Sequence, residues 1–92
     1  MKHFNWNPEK NEKLKRERGI SFEVLTWWIE NGGLMAVLEH PKRDRYPNQQ
    51  IYVVNVEGYI HWAPFVESED EVFLKTIIPS KKLTQRYLGG KT

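Results

Sequence analysis

The chain has 92 residues, of which 39% are apolar and 28% charged, with no cysteine, so it is read as one small domain, residues 1–92, whose core forms without disulfides. The missing thiols exclude cysteine nucleophiles and cysteine-ligated metals, and His3, His40 and His61 lack the spacing of a metal-binding pair, so neither metal nor cofactor is expected. The opening MKHFNWNPEK has no apolar leader and no run of about 18 apolar residues follows, so no signal peptide or membrane contact is expected and the cytoplasm is the expected compartment.

The net charge of +2 is unevenly spread: residues 1–18 carry +3, 19–40 carry −3, 41–56 carry +2, 57–75 carry −4 and 76–92 carry +4. Both ends are basic and two middle stretches are acidic, and that distribution says more about partners than the total does.

In chain order, His3 to Trp6 alternates with Phe4 and Trp6 on one face and reads as a short strand. Asn7 then caps a helix with Pro8 at its first position, running to about Arg18 and closed by Gly19. Its one large apolar residue is Leu14, so it is expected at the surface, laced by pairs such as Glu9–Lys13 and Glu12–Arg16. Ser21 caps a second helix with Phe22, Leu25, Trp28 and Ile29 at helical spacing, stopped by Asn31-Gly32-Gly33; this one is expected to pack on the sheet.

From Leu34 the period changes to that of strands. LMAVLE, QQIYVVNV, YIHWAPFVE and EVFLKTII are four runs rich in branched and aromatic residues, expected to form an antiparallel meander. Glu57-Gly58 fits a tight hairpin, the acidic turn Glu67, Glu69, Asp70, Glu71 is a solvated connection, and the basic loop HPKRDRYPN is the one stretch long and polar enough to be mobile. Pro64 within the third run predicts an edge position or a bulge. Ser80 caps a terminal helix from Lys81 to about Leu88, ahead of Gly89-Gly90. The expected fold class is α+β: an antiparallel sheet meander with two N-terminal helices and one C-terminal helix, in the order β-α-α-β-β-β-β-α.

The segment FNWNPEKNEKLKRERGISFE resembles the N-terminal signature of BrnT-type toxins, the ribonuclease half of a type II toxin–antitoxin pair, in which F-x-W-D/N precedes a lysine and a short helix ending in G-I/V-S-F. LKTIIPSKKLTQRYL is similar to the family's closing strand and basic helix. Element order and length agree over nearly the whole chain, although residues 34 to 66 match in strand pattern alone. The chain departs from the family at Arg18, where histidine is frequent, and at Thr76 and Lys81, where arginine is frequent. The resemblance implies a RelE-like fold, RNA as substrate, including ribosome-associated mRNA, no metal, and a cognate antitoxin with a ribbon-helix-helix portion.

Metal-free RNA cleavage requires a group that takes the 2′-hydroxyl proton, cations that stabilise the charged phosphate and an acid for the leaving oxygen. Five residues are candidates for these roles. His61 lies mid-strand between Tyr59 and Ala63, and Lys75 lies mid-strand with Phe73 and Ile77 on its face. Lys81, Arg86 and Tyr87 stand on the terminal helix with Lys82, which sits one turn from Arg86 where two cations repel unless an anion lies between them.

Each has an ordinary structural explanation as well: a hydrogen-bonded ring for His61, a snorkelling stem for Lys75, and a solvated cationic face for the terminal helix. Lys10, Lys13, Arg16 and Arg18 form a second basic surface, suited to the phosphate backbone or to solvent alone. Trp27 and Trp28 diverge by about 100° on a helix, so one is expected in the core and the other at a partner interface. The expected function is therefore an endoribonuclease toxin neutralised by its antitoxin. A non-catalytic RNA- or protein-binding module on the same fold, favoured by the departures at Arg18, Thr76 and Lys81, and a purely structural domain are the alternatives.

Overall fold

The computed structural model describes residues 2–89, so Gly90 of the expected helix stop lies outside the described residues. The order is β1 (His3–Trp6), α1 (Pro8–Arg18), α2 (Phe22–Trp28), β2 (Leu34–Glu39), β3 (Gln49–Val56), β4 (Tyr59–Glu67), β5 (Glu71–Leu74), β6 (Ile78–Pro79) and α3 (Lys81–Thr84). A wider π-type turn, Gln85–Gly89, extends α3, whereas Ile29–Gly33 after α2 leaves helical geometry at Asn31 and Gly32 and turns the chain into β2. Among the described residues, no helix is long and apolar enough to cross a membrane.

Local chemistry accounts for the helix boundaries. The Asn7 side chain accepts the N–H groups of Glu9 and Lys10, Ser21 accepts that of Val24, and Ser80 that of Leu83, each satisfying first-turn donors that lack a helical partner. At the β3–β4 hairpin Glu57 and Gly58 both take positive φ, 52° and 85°, which matches the twist of the flanking strands. At Gly33 a Cβ would stand 2.7 Å from the Asn55 carbonyl oxygen, so only glycine lets the turn after α2 lie this close to β3.

The sheet has six strands in the order β1-β5-β4-β3-β2, with β6 on β4. It is mixed, not an antiparallel meander throughout: β1 pairs parallel with β5, His3 beside Glu71 and Trp6 beside Leu74. The aromatic alternation of β1 identified a strand, but its partner lies about 70 residues away, beyond the reach of local pattern.

The last apolar run is broken where continuity was expected. It forms β5 and β6 on either side of Lys75-Thr76-Ile77, and Pro64 explains the interruption. The Lys75 N–H donates to the Pro64 carbonyl at 2.8 Å, so Pro64 turns its nitrogen, which has no hydrogen, toward the same gap. Pro64 is therefore neither at a sheet edge nor in a bulge. It sits in the central strand β4 opposite Ile51, and its neighbour supplies the irregularity. Lys75 and Ile77 consequently part: Lys75 is exposed beside Phe73, whereas Ile77 is buried in the core.

Both sheet faces are covered. Val53 and Val54 are adjacent on β3, hence on opposite faces, and both are fully buried. On one face Leu14, Phe22 and Leu25 from the first two helices pack on Val54, Phe65 and Leu74. On the other, Leu83, Tyr87 and Leu88 rest partly buried on Ile51, Val53 and Ile60. A polar anchor ties α1 to α2: Asn11, 4% exposed, accepts the Phe22 N–H and donates to Glu23, each at 2.8 Å.

Candidate nucleic-acid interface

The break after β5 places Lys75 between two surface depressions, and it is the residue that lines both. On one side, around the end of β5, it lines a depression together with Phe73 and with Glu9, Lys10 and Lys13 of α1. Its ammonium stands 5.3 Å from the centre of the Phe73 ring. Three lysines against one carboxylate leave this depression net positive, a surface suited to a phosphate backbone.

On the other side lies a groove of about 400 Å³ floored by Trp62 and Pro64 of β4 and walled by the loop between β2 and β3. That loop, expected to be mobile, is closed on itself by Tyr46 N–H to the Lys42 carbonyl at 2.8 Å and Gln49 N–H to the Tyr46 carbonyl at 3.2 Å. The closure turns His40 inward. His40 is 8% exposed, its ring centre 4.6 Å from that of Tyr46 and 6.2 Å from that of Trp62. Its Nδ1 accepts the Lys42 N–H at 3.1 Å, so a neutral ring holds its proton on Nε2. Lys42 and Lys75 bring positive charge to the groove, and among the described residues no carboxylate lines it.

No family model, curated protein or solved structure matches the chain.

The other residues singled out in the sequence fall at separate places. His61 alternates with Trp62, so it lies on the face opposite the groove, across from Val54. Its Nδ1 is 3.1 Å from the Tyr59 carbonyl and its ring meets Tyr59 edge-on; partial burial pushes its pKa below the ordinary 6.5. His61 and Lys75 consequently cannot act on one phosphate in this structure. Tyr87 packs on the smaller core, while Lys81, Lys82 and Arg86 are exposed on the terminal helix and do not line the groove. Arg16 is exposed on α1 away from both depressions. Arg18 is directed elsewhere: its guanidinium donates to the Ile77 carbonyl and so satisfies backbone left free by the strand break. Trp28 packs against the larger core, and Trp27 meets it edge-on while remaining 55% exposed.

His40, Tyr46, Trp62 and Gln49 were not among the residues that the sequence singled out for chemistry. The available signal was an aromatic residue inside a basic loop, a combination common in nucleic-acid contacts. Trp62 joins them only through the fold.

Proposed function

We propose that the chain is the toxin of a type II toxin–antitoxin pair, a metal-independent endoribonuclease of the BrnT type with a RelE-like fold, acting in the cytoplasm on single-stranded RNA that includes ribosome-associated mRNA. The observation that supports this most directly is the position of Lys75, shared between a cationic depression and an aromatic groove that no carboxylate among the described residues lines. In the reaction the 2′-oxygen attacks the adjacent phosphorus and the bond to the 5′-oxygen breaks. The proton leaves the 2′-hydroxyl for a base and another is delivered to the 5′-oxygen, giving a 2′,3′-cyclic phosphate and a 5′-hydroxyl. Lys75 stabilises the charge that grows on the phosphate oxygens, and Lys10 and Lys13 hold the neighbouring backbone.

The antitoxin, with its ribbon-helix-helix portion, covers the exposed side of α2, where Trp27 and Val24 one turn earlier are 55% and 43% exposed. A second reading, a binding module that retains the surface without cleaving, is favoured by Arg18, whose guanidinium is engaged by the Ile77 carbonyl.

Induced expression of the wild type beside Lys75→Ala, with growth, total RNA on a gel and folding by circular dichroism, separates the two. Growth arrest with RNA loss in the wild type alone supports the ribonuclease. A folded wild type that binds RNA without arrest or RNA loss replaces it with the binding module.

A further inference from the structure

We infer that the groove between the β2–β3 loop and β4 is a nucleobase pocket, in which one unstacked base of the RNA lies against Tyr46 and Trp62 while Lys75 and Lys42 hold its phosphate. This deepens the ribonuclease reading and rests on it for the identity of the strand. Three properties carry it.

The first is lining: the groove is an open depression of about 400 Å³ whose walls combine aromatic rings with Pro41, Pro64 and Ile78, the mostly apolar and aromatic lining usual for small-ligand sites. The second is a polar edge inside an apolar frame. With Nδ1 occupied by the Lys42 N–H, the His40 ring is left its Nε2 for a further hydrogen bond, and the Gln49 amide offers both a donor and an acceptor. A planar ligand with hydrogen-bonding groups along one edge satisfies both. The third is charge: among the described residues no lining carboxylate opposes Lys42 and Lys75, whereas the depressions near Lys10, Arg43 and Lys2 carry Glu9, Glu39 and Glu67 respectively. An aromatic ligand carrying an anion therefore finds its complement in this groove, and a nucleotide within a strand has that composition.

The test titrates the full chain with a 2′-O-methyl oligoribonucleotide, which cannot be cleaved, and with a base-free strand of equal length and charge. The wild type is expected to bind the base-bearing strand roughly tenfold more tightly, the scale of one stacked base. Tyr46→Ala is expected to abolish most of that preference while leaving the base-free strand unaffected, and Lys75→Ala to weaken both strands equally. Gln49→Ala, as a second variant against misfolding of the first, is expected to change the ranking among four homopolymers. Equal wild-type affinity for the two strands, equal loss on both in Tyr46→Ala, or binding to neither overturns the pocket. A retained base preference without RNA loss in cells overturns cleavage and leaves the pocket standing.

Discussion

The two faces of the sheet are built unequally. The face under α1 and α2 buries Phe22, Leu25, Phe65 and Leu74 almost completely, whereas the face under α3 fully buries Val53 and Ile60 and leaves Leu83, Tyr87 and Leu88 partly exposed. The groove and Lys75 lie on the thinner face. A small domain can afford one well-packed face and use the other for contact, because most of the free energy of folding comes from apolar area removed from water. The comparison teaches a division of labour: the buried residues of both faces set stability, the first face contributing more of them, and the exposed residues around the groove on the second are expected to change with little effect on it.

The largest expected effect tests the first half of that statement. Phe22 is fully buried and its ring stacks on Trp6 at 5.4 Å, so Phe22→Ala is expected to cost about 3–5 kcal/mol, read from urea denaturation. In a domain of this size that is a large share of a total of roughly 5–15 kcal/mol. A loss under about 1 kcal/mol would show that the face is not the stabilising one.

Asn11 comes next. It is buried, and both functions of its amide are used, so Asn11→Ala leaves the buried Phe22 N–H without a partner and is expected to cost about 1–3 kcal/mol. The variant also carries a pH signature. The Asn11 amide, as the leading cause, holds the Glu23 carboxyl below its ordinary 4.5, and a lowered carboxyl pKa supplies stability present above the ordinary value and lost as pH falls through the folded one. Asn11→Ala is therefore expected to lose less stability than the wild type between pH 5 and the acid limit, measured by thermal unfolding.

What the sequence made legible follows from the range of the interactions involved. Caps at Asn7, Ser21 and Ser80, the Glu57-Gly58 hairpin and the apolar rhythm of β3 and β4 are written within a few residues of one another, and the structure has them at those positions. The parallel partner of β1, the break opposite Pro64 and the inward turn of His40 depend on contacts across tens of residues, which period and composition do not encode. Asn11 shows the same limit inside a helix, since its polar identity predicts solvent and its partners in α2 place it in the interior.

His61 sharpens the comparison from the face it shares with the larger core. Partial desolvation, opposed by the Tyr59 carbonyl, lowers its pKa below 6.5, so the unfolded chain binds the proton more readily. Stability is then full above pH 6.5 and falls as pH drops through the folded value. His61→Gln is expected to flatten the wild-type slope between pH 7 and pH 5 while leaving RNA binding unchanged. A slope that persists in the variant would assign it to other groups.

The smallest expected effect on stability belongs to Lys75, and it decides whether the thinner face is spared for contact. Lys75 is exposed, and among the described residues its ammonium lies over the Phe73 ring at 5.3 Å, a contact worth about 0.5–1 kcal/mol at an exposed site. Truncation also releases a long side chain from partial ordering, which offsets part of that loss. Lys75→Ala is accordingly expected to shift the urea midpoint by no more than about 0.5 kcal/mol of stability while weakening RNA binding and reducing its salt dependence by about one phosphate contact. A destabilisation above about 2 kcal/mol would instead make Lys75 a clamp for the broken strand, and the same face would then be holding the fold together at the place proposed for contact with RNA.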